Sequence, residues 1–112
     1  MQLDQIKEGK VVVIRVRENR IDAHLAPELK QQLGDLIESG DNHLVLDLSE
    51  VEFVDSSGLS AIVSAMKMLD GRGDIVLCQP RPAVTSLFKL TRLDKIFRIY
   101  PDSADAVAAV AG

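Results

Sequence analysis

Residues 55 to 58, Asp55, Ser56, Ser57 and Gly58, place two serine hydroxyls directly after an acid. A serine oxygen is a weak nucleophile unless a base activates it, and the adjoining residues include no evident base. The pattern is therefore typical of a serine that another enzyme modifies. Phosphorylation would add about −1.5 to −2 charge and three acceptor oxygens. A competing interpretation is that Asp55 and Ser56 simply cap a helix.

The residues after this motif are spaced as in a helix. Apolar side chains recur along one side, at Leu59, Ile62, Val63, Met66 and Leu69. The other side carries small or weakly apolar residues and one charge: Ser57, Ser60, Ala61, Ser64, Ala65, Lys67 and Met68. A solvated helix face normally carries several charges. We therefore predict that part of this face binds a partner protein, unless the first helix of the chain covers it.

A helix start is also a suitable place for a phosphate. Its first backbone N–H groups lack partners within the helix, and its dipole favours negative charge there. A phosphate on Ser56 is therefore expected to change the surface without unfolding the protein.

The rest of the sequence alternates strands and helices. Strands are predicted at residues 3–7, 11–16, 44–48, 74–78 and 96–100, and residues 53–54 lead from a short turn into the motif. Helices are predicted from the stripes at residues 25–37, 59–69 and 84–91, and at 103–111 with Ser103 as a cap. The order indicates an α/β fold with a mixed, mostly parallel sheet of about five strands, an N-terminal antiparallel hairpin and about four helices. In such sheets function tends to lie in the loops after the strands, where the motif falls.

Length and composition limit the class of protein. The 112 residues suit one domain over 1–112, and 46% hydrophobic with 27% charged residues excludes disorder. A net charge of −4 gives no sign of nucleic-acid binding. Apolar runs are too short to insert in a membrane, and residues 1–10 do not read as a signal peptide. Cys78 alone provides neither a disulfide nor a zinc site. We expect a cytoplasmic domain.

Two catalytic or metal-dependent alternatives fit the residues poorly. A serine hydrolase would need a histidine near Ser56. His43 is expected at the opposite edge of the sheet, and although His24, in the loop before the first helix, could lie nearer, there is no Gly-x-Ser-x-Gly elbow. A response-receiver domain would need paired acids after its first strand, and Asp47 and Asp55 form no evident magnesium cluster. We therefore expect no catalytic residue, no cofactor and no metal. Asp47 is expected at a solvent edge or as a capped carboxylate.

The segment of residues 46–59, LDLSEVEFVDSSGL, resembles the signature of STAS-domain anti-anti-sigma factors, the anti-sigma factor antagonists of bacterial partner switching. Residues 20–22, 79–84 and 87–88 extend the resemblance over nearly the whole chain. It implies that an ATP-dependent anti-sigma factor serine kinase phosphorylates Ser56. The unmodified form would bind that kinase and free its sigma factor, and a PP2C-type phosphatase would restore this form.

The resemblance and the helix face together define a predicted partner-binding surface. It comprises Asp22, Asp55, Ser56, Ser57, Gly58, Ser60, Ala61 and Ser64. For Asp22, helix capping and partner contact are both open. Three other roles also remain open: a STAS signalling module outside sigma control, a small-molecule or nucleotide sensor with a substantial apolar pocket, and a component of a membrane lipid-transport complex.

Overall fold

The computed structural model describes residues 1–111, which form two sheets and four α-helices. The strands are β1 (Leu3–Glu8), β2 (Val11–Val16), β3 (Arg20–Ile21), β4 (His43–Asp47), β5 (Phe53–Val54), β6 (Asp74–Cys78) and β7 (Ile99–Tyr100). The helices are α1 (Ala26–Glu38), α2 (Ser56–Leu69), α3 (Pro82–Leu90) and α4 (Ser103–Ala111).

The main sheet has five strands in the order β1-β2-β4-β6-β7. β1 and β2 pair antiparallel as a hairpin, and the remaining pairs are parallel. The predicted α/β class, five-stranded mixed sheet, N-terminal hairpin and four helices are confirmed. A second sheet, in which β3 pairs in parallel with β5, was not predicted.

The main sheet separates two hydrophobic clusters. The larger cluster contains buried residues from α1, α2 and α3 together with alternate residues of β2, such as Val12 and Ile14. The smaller cluster contains Val11 and Val13 of the same strand with Ala106 and Val110 of α4. Because successive side chains of a strand point to opposite faces, a strand covered on both sides is apolar at consecutive positions. This explains the four consecutive apolar residues Val11–Ile14, which precede the exposed Arg15.

The last strand is shorter than predicted. Residues 96–100 read as one strand, but a 3-10 turn occupies Leu93–Lys95 and only Ile99 and Tyr100 pair with β6. Phe97 is fully buried, with its ring centroid 6.0 Å from that of Phe88. The chain therefore packs Phe97 into the core before it joins the sheet.

The start of α4 also differs from the prediction. Asp102, not Ser103, provides the cap, because its Oδ1 accepts a hydrogen bond from the backbone N–H of Asp105 at 2.8 Å. Both side chains suit a helix cap.

Asp47 is buried and hydrogen-bonded, so the expected solvent-edge position is wrong and the capped carboxylate is the correct alternative. Its Oδ2 accepts from Arg15 Nε at 3.1 Å and its Oδ1 accepts from the backbone N–H of Ser49 at 2.9 Å. Two hydrogen bonds, one from a cation, compensate a buried carboxylate.

Cys78 is also buried, and desolvation raises the pKa of its thiol to about 12. Since the thiolate is the reactive form, this cysteine behaves as a small apolar residue. No helix within residues 1–111 has the length and apolar character needed to cross a bilayer.

Candidate functional site

The motif lies where β5 ends and α2 begins. Asp55 has extended backbone angles, φ −97° and ψ −176°, and α2 starts at Ser56. The Oδ1 of Asp55 accepts a hydrogen bond from the backbone N–H of Gly58 at 3.0 Å. Asp55 is therefore the N-cap residue of α2, and Ser56 is not needed as a cap. The Ser56 residue is exposed.

Asp55 also connects the motif to the segment that precedes α1. Its Oδ2 accepts from the backbone N–H of Ala23 at 3.2 Å, and its own N–H donates to the carbonyl of Ile21 at 3.1 Å. These bonds join the end of β3 to the start of α2. Both carboxylate oxygens of Asp55 are thus engaged with backbone donors.

Asp22 lies in the same connecting segment and stabilises its turn. Its Oδ1 accepts from the backbone N–H groups of His24 at 3.0 Å and Leu25 at 3.3 Å. Its Oδ2 lies 3.5 Å from Arg20 Nε, and 31% of the side chain is exposed. Asp22 therefore stabilises the turn before α1 but does not cap the helix, whose N-cap residue Leu25 has no side-chain cap hydrogen bond. It also reaches the surface beside the motif.

Gly58 and Ala61 are buried beneath the exposed serines of α2, and their small size allows α2 to pack closely against its neighbours. A Cβ on Gly58 would lie 2.7 Å from the carbonyl oxygen of Ile21 and 2.8 Å from Val54 Cγ1. Glycine is needed there because α2 approaches the small β3–β5 sheet so closely. Ala61 is 4% exposed and lies at the base of the space between α1 and α2. Little of either residue reaches solvent, although Ala61 lines this space, and the predicted contact of both residues with a partner stays a prediction.

A groove of about 550 Å³ separates the first turns of α1 and α2. One wall is Ala23, Ala26, Pro27 and Lys30, and the other is Ser56, Ser57, Ser60, Ala61 and Ser64. Ser56 and Ser60 are exposed, whereas Ser57 and Ser64 are half-buried. The structure thus brings five of the six predicted α2 residues together in one groove, which we call the serine groove, whereas Gly58, Asp22 and Asp55 do not line it.

The α1 wall of the serine groove was missed from the sequence. Pro27 and Lys30 lie outside the apolar stripe of α1, and that stripe alone does not reveal which helix packs beside it. One alternative considered from the sequence did point to α1, namely that the first helix covers part of the small-residue face of α2. That interpretation is confirmed for the far part, since Ala65 is fully buried and Met68 packs near Gly34 of α1.

The sequence model of the STAS domain family matches residues 2–106 of the chain. The chain belongs to the STAS family. An anti-sigma F factor antagonist from Paenibacillus polymyxa is 28% identical to this STAS chain over 109 residues, which are 96% of the chain and 92% of the relative. The resemblance to anti-sigma factor antagonists inferred from the sequence is thereby confirmed.

Solved structures agree with this assignment. An anti-sigma factor antagonist from Mycobacterium paratuberculosis superposes with a TM-score of 0.90 at 32% identity, covering 99% of the STAS chain and 94% of that protein. The phosphorylated form of the Bacillus cell fate determinant SpoIIAA has a TM-score of 0.73, with 97% of each chain covered. At 22% identity, the latter is a likeness of fold.

Asp55→Ala in the STAS chain is expected to lower the free energy of unfolding by about 1–2 kcal/mol, because it removes the α2 cap and the bond to Ala23. Chemical denaturation measures this loss. Asp55→Asn should lose less, since its side-chain oxygen can still accept from Gly58. Glu38→Ala, at an exposed position in the last turn of α1, is the control and should change stability by less than about 0.5 kcal/mol. Equal stability of Asp55→Ala and the control would contradict the capping role.

Proposed function

We propose that this STAS chain is a phosphorylatable anti-sigma factor antagonist in a bacterial partner switch. Its unmodified form binds an anti-sigma factor serine kinase and releases the sigma factor held by that kinase. Phosphorylation of Ser56 prevents the binding, and a PP2C-type phosphatase reverses it. The observation that supports this most directly is the exposed Ser56 at the first position of α2, beside the serine groove.

The kinase supplies the chemistry of the phosphorylation step. The Ser56 hydroxyl oxygen attacks the γ-phosphorus of ATP, the bond from that phosphorus to the bridging oxygen breaks, and ADP leaves. A base on the kinase takes the hydroxyl proton, and its magnesium balances the phosphate charge. Asp55 is the nearest carboxylate in sequence, but both its oxygens already accept backbone hydrogen bonds. In this proposal the chain is a substrate and a binding module, not an enzyme.

The phosphatase completes the cycle by hydrolysis. Water attacks the phosphorus, the bond to Ser56 Oγ breaks, and the serine hydroxyl and inorganic phosphate are released. The unmodified surface is then restored without any change of fold.

The proposed switch acts through local charge and bulk. A phosphate on Ser56 places about −1.5 to −2 charge beside Asp55, so an acidic or closely packed partner surface is repelled. A penalty of about 1.4 kcal/mol already weakens binding tenfold. No unfolding of α2 is needed, because negative charge is favourable at a helix start.

The proposed partners are proteins. Asp22, Asp55, Ser56, Ser57, Ser60 and Ser64 form the proposed contact surface, with Gly58 and Ala61 holding it in place. The proposal includes no direct binding of nucleic acid and no membrane insertion. Since the kinase uses ATP and controls transcription, the proposed location is the cytoplasm.

The function is tested by affinity capture from native lysate with wild type, Ser56→Ala and Ser56→Asp as baits. We expect the first two to retain an ATP-binding serine kinase, identified by mass spectrometry, and Ser56→Asp to lose it. Adding the captured kinase to its sigma factor and the unmodified chain should free the sigma factor. Capture of the kinase without any sigma factor as its client would favour a STAS signalling module outside sigma control. Equal capture by all three baits would contradict the switch.

A further inference from the structure

Lys30 is the one ionisable side chain among the nine residues that line the serine groove. It lies one turn after Ala26 on the α1 wall, and its side chain is exposed. Ser60 lies one turn after Ser56 on the opposite wall, so the two serines share a helix face. A phosphate on Ser56 would thus stand at the mouth of a groove that carries one cation and several hydroxyls.

We infer that the serine groove receives the phosphate of phosphorylated Ser56, with Lys30 as its cationic partner and the Ser60 hydroxyl as a donor. This inference rests on the proposed phosphorylation of Ser56. The phosphate then blocks the groove as well as charging its edge. Lys30 is a positioning residue in this arrangement, because it acts on the modified side chain and not on the phosphoryl-transfer reaction.

The other charged groups near the motif either interact with another side chain, carry negative charge or lie outside the groove. Arg20 lies 4.8 Å from the centroid of the Phe53 ring and 3.5 Å from Asp22. Asp55 and Asp22 are carboxylates that would repel a phosphate. His24 is exposed in the segment before α1 and does not line the groove. Lys30 is therefore the cation that the groove itself offers.

Lysine suits this role because its ammonium group is carried on a flexible four-carbon stem and has three donors. The pair would be exposed, so its contribution is modest and sensitive to salt. A nearby cation favours the dianionic form of a phosphate and lowers its second pKa.

The test places phosphoserine at position 56 by genetic code expansion, which requires no kinase. The second pKa of the phosphate is then measured by ³¹P NMR titration in wild type, Lys30→Ala and Lys67→Ala. We expect Lys30→Ala to raise this pKa by about 0.3–0.5 unit at low salt, and the difference to vanish in 1 M NaCl, where the Debye length is about 3 Å. Lys67 is an exposed lysine of α2 outside the groove, so Lys67→Ala should leave the pKa unchanged.

Ser60→Ala tests the hydroxyl in the same experiment and should move the phosphorus resonance with a smaller change in pKa. Identical titration curves for wild type and Lys30→Ala would overturn the inference, even if a kinase modifies Ser56. Conversely, failure of any kinase to modify Ser56 would overturn the proposed function while leaving this titration result intact.

Discussion

Ser56→Ala is expected to bind the cognate anti-sigma factor kinase within about twofold of the wild-type affinity and to incorporate no phosphate. The substitution removes one exposed oxygen, and Asp55 rather than Ser56 caps α2, so the fold keeps its support. Ser56→Asp should bind at least about tenfold more weakly, because a fixed negative charge then stands beside Asp55 at the contact surface. Calorimetry with the purified kinase measures affinity, and labelled ATP measures phosphate incorporation.

The matched control is Ser60→Ala, one helical turn further along the same face. Ser60 is also exposed and lines the same groove, so its substitution tests whether the kinase selects one hydroxyl. We expect Ser60→Ala still to incorporate one phosphate per chain when the reaction is complete, because it keeps the Ser56 hydroxyl, even though Ser60 belongs to the proposed contact surface. Equal incorporation into wild type and Ser56→Ala would refute the assignment of Ser56 as the modified residue.

Gly58→Ala is expected to lower the free energy of unfolding by about 1–3 kcal/mol and to weaken partner binding. Its Cβ would lie 2.7 Å from the Ile21 carbonyl oxygen and 2.9 Å from Ile21 Cγ2, so the first turn of α2 must move away from β3. That movement strains the bonds that Asp55 makes to Gly58 and Ala23 and displaces Ser56. Chemical denaturation and kinase affinity measure the two effects.

Gly34→Ala is the control for this substitution, since Gly34 is also a buried helical glycine. A Cβ there would meet only Met68, at 3.4 Å from Cε, which is ordinary contact with the end of a flexible side chain. Alanine also has the higher helix propensity, by about 0.8–1.0 kcal/mol. We expect Gly34→Ala to be neutral or stabilising. If both variants lost the same stability, close approach to Ile21 would not be the reason that position 58 is glycine.

The strands and helices that bury a continuous stripe were predictable from the sequence. The i, i+3, i+4 pattern from Leu59 to Leu69 indicated α2, and the β-branched Val11–Val16 run indicated β2. The motif could be assigned to a strand-to-helix junction because cap residues precede that stripe. These features depend on local periodicity, which a single sequence displays.

Features that depend on tertiary contacts were not predictable. The two-residue strands β3 and β5 form only because distant segments meet, and neither is long enough to show a pattern. Phe97 fits the sequence pattern of a strand, yet it is buried against Phe88, and β7 begins only two residues later, at Ile99. The burial of Asp47 depends on Arg15, thirty-two positions away in the chain. Lys30 was missed for the same reason, because its neighbours across the groove belong to another helix.

The two hydrogen bonds that Asp55 makes to separate segments have a consequence for association. The backbone N–H groups of Gly58 and Ala23 donate to the same carboxylate, so the segments that carry the two walls of the serine groove are held together without a partner. Docking to a preorganised surface sacrifices little conformational entropy, so most of the contact energy is available for affinity. In the proposed switch, the backbone on either side of the added phosphate would therefore stay in place, and only side chains such as Lys30 would respond to its charge.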